Sequence, residues 1–375
     1  MTAPGDTPLT AEASVRRPAN RDAAADLIRQ ARAERWSIGA PAADYHWDLS
    51  QLQERAAFNP ADMLLTVETG LSLRQIQEIA RTENLWLPLD STMPEVPLAK
   101  LLARDASLSW LSHRHGLARD WVMSITALDD QGRQVFSGAR VVKNVDGYRL
   151  APLYIGARHC LGPVLELSLR LLPQPANLTV ITCGAAEPAP LLELWTRSRL
   201  GEQLAESGLP WEAVLIERRG EQWKLRGFTR ASKKRAADWA RETKTGKRIE
   251  ISSAKRPPNE DMSNPAVPNV LLQVLPSQVP DLLMALAAAG VDLKCYPSAG
   301  AVVLGLTADL AAEKNLKEAL MSTRAWGGSV RPLTLAGARI LGGIGIRERV
   351  AAVFGRVKDI LDPDNIFGRW PEELW

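Results

Sequence analysis

Cysteine is scarce in this chain of 375 residues. There are three, at Cys160, Cys183 and Cys295, and no C-x-x-C pair. A zinc ribbon or a cysteine-ligated iron–sulfur cluster within the chain alone is thereby excluded, and a sparse, odd set fits a reducing compartment better than a disulfide scaffold. Histidine numbers four: His46, His113, His115 and His159. His113 and His115 would share a face if locally extended, but no carboxylate cluster adjoins them in sequence. Ordinary loop histidines are expected there, and no metal site. Net charge is only +3, which gives no whole-molecule attraction to nucleic acid. No apolar run reaches the length of a membrane span; the longest candidate, 282–291, is Ala-rich and short, and reads as a buried helix. Residues 1–14 have no basic n-region or apolar h-region, so they read as a short disordered tail rather than a secretory signal. No G-x-S-x-G, P-loop or Rossmann fingerprint opens a helix, and there is no internal repeat.

What is present is an ordinary globular composition, 46% hydrophobic and 24% charged, on a chain long enough for two domains. Ala24, Leu27, Ile28 and Ala31 recur at helical spacing, predicting a helix over 21–35 with Asn20 as its N-cap. A short strand is expected at 36–38 and a new element at 48–52. Residues 63–68 read as a strand. Ser72 and Gln75 form a capping box for a helix over 73–81, with Asn84 as its C-cap. Strands over 121–128 and 133–136 flank the turn composition Asp129-Asp130-Gln131-Gly132. Over 164–171 leucines alternate with Glu166, Ser168 and Arg170, the pattern of a half-buried strand. Pro173 and Pro175 close this first region.

Strand-like and helix-like segments then alternate, at 178–182, 191–199, 213–218, 231–241, 270–275, 281–289 and 301–306, with a Pro/Asn/Ser-rich loop at 255–268. An α+β second domain is expected. Val350, Val353, Phe354, Val357 and Ile360 make a last helical stripe before Asp362-Pro363. The expected domains are 15–176, 177–335, and a C-terminal segment, 336–375, whose helix returns to the first.

Four stretches occur in a telling order: LLTVETGLSLRQIQEIARTENLWLPLD (64–90), RHGLARDWVMSITALDDQGRQV (114–135), GARVVKNVDGYRL (138–150) and RVKDILDPDNIFGRW (356–370). Together they resemble the FAD-linked oxidases of the vanillyl-alcohol-oxidase type, and within that family the FAD-binding accessory subunit of bacterial glycolate oxidase. The resemblance implies an α+β, PCMH-type FAD-binding domain of two α+β subdomains, followed by a smaller α+β cap-like domain. It also implies FAD as cofactor, its pyrophosphate held by backbone N–H groups of glycine-rich loops. The residues it points to are Gly39, Lys100, Arg119, Asp120, Asn144, Gly147, Tyr148, Gly156, Leu161 and Gly162.

Three loops depart from the family's pattern. After Ile38 there is one glycine, Gly39, where a run is expected, followed by Pro41 and Asp44. Lys100 stands where a glycine is expected to open a helix, and reads as a solvated lysine or as a charge reaching a phosphate. The third loop, residues 156–163, keeps Gly156 and Gly162 but carries Ala157, His159, Cys160 and Pro163 in place of small and hydroxyl residues. Asn144, Gly147, Tyr148 and Glu166 are also explicable as turn, core and strand residues.

Two functions follow. One is an FAD-binding subunit of a 2-hydroxyacid oxidase complex acting on glycolate or lactate, beside a second flavoprotein subunit and an iron–sulfur subunit. Flavin would there take a hydride from the α-carbon or relay electrons. The other is a flavin-free scaffold subunit of such a complex, a pseudoenzyme. The expected location is cytoplasmic, or peripheral at the inner membrane through the complex. Residues 218–256 hold fourteen Lys or Arg against four Asp or Glu, +10 locally, interleaved with Trp223, Phe228 and Trp239. A solvated face is the plain reading. A docking surface for an acidic partner or anionic lipid is the sharper one, and nucleic acid is not expected.

Overall fold

The computed structural model describes residues 14–39, 43–89, 94–103, 111–138, 150–175, 177–204, 209–242, 249–254, 270–306, 314–332, 341 and 348–368. Contacts group the chain into two units. The first comprises 1–107, 117–174 and 348–372, and the second 108–116, 175–347 and 373–375. Residues 108–116 thus belong with the second unit and carry its short helix α4 (Ser112–His115).

In the first unit, α1 (Arg21–Glu34) starts where Asn20 accepts a hydrogen bond from the Ala23 N–H and ends with Arg35 in the left-handed region. Its buried side, Ala24, Ala25, Ile28 and Ala31, packs with Ile38, Leu49, Leu52, Ile366 and Phe367. Beside it β1 (Ser14–Arg16) pairs in parallel with β2 (Tyr45–Trp47). The main sheet is antiparallel, in the order β3 (Ala57–Asn59), β4 (Leu64–Glu68), β8 (Val164–Arg170), β6 (Val122–Leu128), β7 (Gln134–Gly138). Helix α2 (Leu73–Arg81) carries the reciprocal Ser72–Gln75 capping box expected from its sequence, a device worth about 1 kcal/mol. The short α3 (Leu98–Ala103), α5 (Ala118–Trp121) and α6 (Ala151–Tyr154) and the C-terminal helix Glu348–Leu361 complete this unit. Leu85–Trp86 and Leu172–Pro173 form a further two-stranded pair, β5 with β9.

Several expectations change. Residues 36–38 form no strand; Ile38 alone bridges Tyr45. Residues 48–52 turn rather than start an element, anchored by buried Leu49 and Leu52. Helix α2 is capped at Thr82, and Asn84 instead takes a left-handed φ of 55° ahead of β5. Strand β8 is buried on both faces, because Arg21 covers Glu166 and the Thr66 hydroxyl meets the Ser168 hydroxyl at 2.9 Å. On the C-terminal helix Phe354, Val357 and Leu361 pack against the core while Val353 and Ile360 face solvent. The loop at 255–268 and residues 1–13 lie outside the described residues.

The second unit is built on an antiparallel eight-stranded sheet in the order β13-β10-β12-β11-β15-β16-β14-β17. These strands are β10 (Leu178–Ala185), β11 (Trp211–Arg219), β12 (Gln222–Thr229), β13 (Ile249–Ala254), β14 (Val270–Gln273), β15 (Leu293–Tyr296), β16 (Ala301–Leu304) and β17 (Ser329–Pro332). One face presents Ile181, Cys183, Leu225, Ile216, Cys295, Val302 and Leu272 to a core shared with α7 (Ala189–Leu204), α8 (Lys233–Glu242), α9 (Val279–Ala288) and the helix Lys314–Ala325. Of the 282–291 stretch only 282–288 is helical, within α9, and it is buried on one side: Leu282, Leu283 and Leu286 are enclosed while Met284 and Ala288 face solvent. Among the described residues no helix is long and apolar enough to cross a membrane.

Candidate functional site

The first unit brings the described members of the three loops together. Gly39 has φ 137°, and a Cβ there would stand 3.1 Å from the His159 carbonyl oxygen and 3.3 Å from that of Phe367. Gly162 has φ 113°, and its Cβ would lie 2.1 Å from the Leu128 carbonyl oxygen. Both conformations need glycine, and at both the close neighbour is the chain's own backbone. Asp44 does not face this centre. Its carboxylate accepts hydrogen bonds from the Ser37 N–H and hydroxyl.

An anion cradle needs N–H groups without other acceptors. In loop 156–162 the N–H groups of Gly156, Ala157, Arg158, Cys160 and Gly162 donate to the carbonyls of Leu102, Tyr154, Ala103, Ala157 and His159. Ile38 donates to Ile366, Gly39 to Tyr45, Ala99 to Thr69, and Lys100 to Pro97. The backbone N–H groups of His159 and Leu161 have no backbone acceptor among the described residues. The indole Nε1 of Trp47, beside Gly39, is buried and has no acceptor among the described residues.

The side chains follow the same trend. Arg158 and His159 hold left-handed φ values of 48° and 64°, which cost a residue with a Cβ about 1 kcal/mol each. The half-buried His159 imidazole is held neutral, its pKa pushed down to about 4 by burial. Burial pushes the neighbouring Cys160 thiol up to about 12, so it is inert. Leu161 is a core residue. Lys100 is exposed on α3. Asp120 caps α5 by accepting from the Leu117 N–H at 2.8 Å, and Arg119 is exposed. Asn144, Gly147 and Tyr148 lie outside the described residues. A cleft of about 530 Å³ opens nearby, lined by Arg32, Arg35, Trp36, Asp44, Asp364 and Asn365. Its lining charges balance, and Arg32 is already bound to Asp130 and Asp364.

Sequence reasoning missed two buried ionic centres. In the first unit Arg21 donates to Glu68 at 2.7 Å and to Glu166 at 2.8 Å, both carboxylates being nearly enclosed. Burial pulls the Arg21 guanidinium down, and the two glutamates outweigh it, leaving its pKa raised. In the second unit Glu212 is the extra residue of a β-bulge between Trp211 and Ala213. A bulge re-aims its side chain. There the His115 Nε2 approaches Glu212 Oε2 at 2.9 Å, Arg230 Nε approaches Oε1 at 2.9 Å, and Arg114 Nε stands at 3.6 Å. Burial favours the neutral Glu212 acid, but the His115 hydrogen bond and the charges of Arg230 and Arg114 outweigh it and hold the carboxyl below its ordinary range. His113, the other half of the sequence pair, bonds instead to Ser298 at 2.6 Å. No group of His, Cys, Asp and Glu suited to a metal occurs among the described residues.

The fold is α+β and of the PCMH-type FAD-binding kind: a first unit on an antiparallel five-stranded sheet, followed by an α+β cap-like unit on an eight-stranded sheet backed by helices. The chain superposes on alkyldihydroxyacetonephosphate synthase with a TM-score of 0.63 at 11% identity, over 94% of this chain and 75% of that one. In sequence it is similar to D-2-hydroxyglutarate dehydrogenase of Stutzerimonas stutzeri, 29% identical over 35% of this chain and 28% of that protein. It is similar to the mitochondrial D-lactate dehydrogenase [cytochrome] of Arabidopsis thaliana, 31% identical over 36% of this chain and 24% of that protein. Glycolate oxidase subunit GlcE of Escherichia coli is 24% identical over 40% of this chain and 43% of that subunit. The chain therefore spans less than half the length of each of these curated relatives. No family model matches.

Proposed function

We propose that this chain is a subunit of a 2-hydroxyacid oxidoreductase complex of the glycolate-oxidase kind, in which it keeps the flavin-domain fold as a scaffold. The flavin would then reside on a second flavoprotein subunit, and an iron–sulfur subunit would carry electrons onward. The supporting observation is the loop at 156–162, where five N–H groups donate to the protein's own carbonyls. Left-handed Arg158 and His159 reinforce it, since side chains stand where a close backbone approach to phosphate calls for none. The similarity to GlcE supports membership of a complex.

A second reading keeps FAD on this chain. It is favoured by the buried Trp47 Nε1, which has no acceptor among the described residues, and by the His159 and Leu161 N–H groups, which have no backbone acceptor among them. An absorbance spectrum of the chain purified alone and with its partner subunits, followed by acid release, separates the two. The scaffold reading expects a colourless chain that co-purifies with a yellow partner. Flavin released in stoichiometric amount from the chain alone would overturn it.

A further inference from the structure

The basic stretch in the second unit contains aromatic residues, and the fold accounts for all of them. Trp211, Trp223, Phe228 and Trp239 are each at most 3% exposed. The T-shaped pair of Trp211 and Trp239, with ring centroids 5.6 Å apart, belongs to the core. None of the exposed large hydrophobic side chains falls within 209–242. The surface left over is charged without an apolar component. Single-stranded nucleic acid needs aromatic faces to stack on, and an interfacial membrane helix needs an apolar side to insert. Neither is offered.

What this surface offers is a fixed set of cations. Arg230 is gripped from below, its Nε at 2.9 Å and its Nη2 at 3.4 Å from the two oxygens of buried Glu212, while its side chain remains 47% exposed. Arg114, equally exposed, stands over the same carboxylate. Held this way, an arginine has less side-chain freedom to lose when it meets a partner. The next residues run Arg230-Ala231-Ser232-Lys233-Lys234-Arg235, with no acidic residue. Ser232 caps α8 through its hydroxyl, which accepts from the Arg235 N–H. Lys233 and Lys234 are exposed in the first turn, which has no acidic side chain. Cations there oppose the helix dipole, an arrangement that destabilises α8 and is removed by an external negative charge.

We propose that Arg230 and the first turn of α8, flanked by Arg114, dock an acidic protein surface on another subunit of the complex. The inference rests on the complex-subunit reading above and names the chemistry of the partner: a patch of Asp and Glu side chains facing Lys233, Lys234 and the outer edge of Arg230. Exposed like-charge reversal at such an interface changes association strongly without touching either core.

The test uses the complex isolated through a tag on this chain and treated with a carbodiimide, which activates a carboxylate so that a neighbouring lysine amine forms an amide with it and the reagent leaves as a urea. Lys233 and Lys234 should appear in cross-links to Asp or Glu of a partner subunit. K233E/K234E should lower partner recovery by about tenfold or more, whereas K314E/K317E, which reverses two exposed lysines on the helix Lys314–Ala325, should not. Neither variant should melt below the parent chain, since glutamates at the start of α8 complement its dipole. An intact complex with K233E/K234E, or cross-links confined to other lysines, overturns the docking surface and leaves the complex reading standing. A parent chain that recovers no partner overturns both. Binding to a DNA duplex or to phosphatidylglycerol vesicles that K233E/K234E abolishes, without partner cross-links, overturns the assignment to a protein.

Discussion

The two units solve the same problem with opposite stoichiometry. In the first, one arginine serves two buried glutamates. In the second, one buried glutamate serves two arginines and a histidine. The first centre is sealed: Glu54 N–H and the Thr126 hydroxyl take up further carboxylate oxygens, and Arg21 is only 25% exposed. The second is open, with half of each arginine in solvent. A charge excess that is enclosed can only hold a fold together, while one that is displayed can also meet a partner. The difference separates framework from surface.

Removing the hub of each centre should sharpen this contrast. Arg21→Met leaves two buried carboxylates without their cation and should cost about 3 kcal/mol or more, measured by urea unfolding. A loss near zero would mean that the neutral donors around Glu68 and Glu166 suffice. Glu212→Gln should cost less, about 1–2 kcal/mol, because its arginines can turn to water. Its pH dependence has a definite sign. The folded Glu212 pKa lies below the reference value of 4.5, so its contribution is full above that value and fades as pH falls through the lowered one. The stability gap between parent and E212Q should therefore close only in acid. A gap unchanged across that range would remove ionised Glu212 from the account.

His159 gives a slope of the same sign, set at higher pH. Its folded pKa of about 4 lies below the reference of 6.5, so the unfolded chain takes up a proton first. Stability should fall as pH drops between those values, by about 1–2 kcal/mol after allowance for partial exposure. His159→Asn keeps a residue tolerant of left-handed backbone and should flatten the slope. An unchanged slope would place the titration elsewhere. The smallest effect is expected at Lys100. Lys100→Ala should shift stability by less than about 0.5 kcal/mol and leave any flavin content unchanged. A lysine reaching a cofactor phosphate would instead change the flavin retained on gel filtration.

Much of the framework was readable from local signals. Ser72 and Gln75 marked a capping box, Asn20 a helix start, and the Asp129–Gly132 turn a hairpin, because each depends on residues a few positions apart. The alternation in 164–171 gave the strand but misjudged its environment. Glu166 looks solvent-facing until Arg21, 145 positions away, is placed over it. The Glu212 centre was invisible for the same reason: His115 and Glu212 are 97 positions apart, and the bulge that aims Glu212 leaves no composition signature. At the loops, glycine identity alone could not distinguish approach to a phosphate from approach to a carbonyl. The distances at Gly39 and Gly162 show that backbone carbonyls stand beside both positions.

The path of the chain adds a consequence for its biosynthesis. The first unit is gathered from three separated stretches, and the last, 348–372, is translated only after the whole of 175–347. Ile366 and Phe367 fill its core, and Ile366 supplies the carbonyl that Ile38 needs. During translation the first unit must therefore wait, with part of its core unfilled, until the second has been made. A ribosome stalled before Glu348 would hold a nascent chain in which Ile38 has lost its acceptor and α1 has lost Phe367. The order of synthesis, rather than any single contact, then determines which half of the molecule completes its core last.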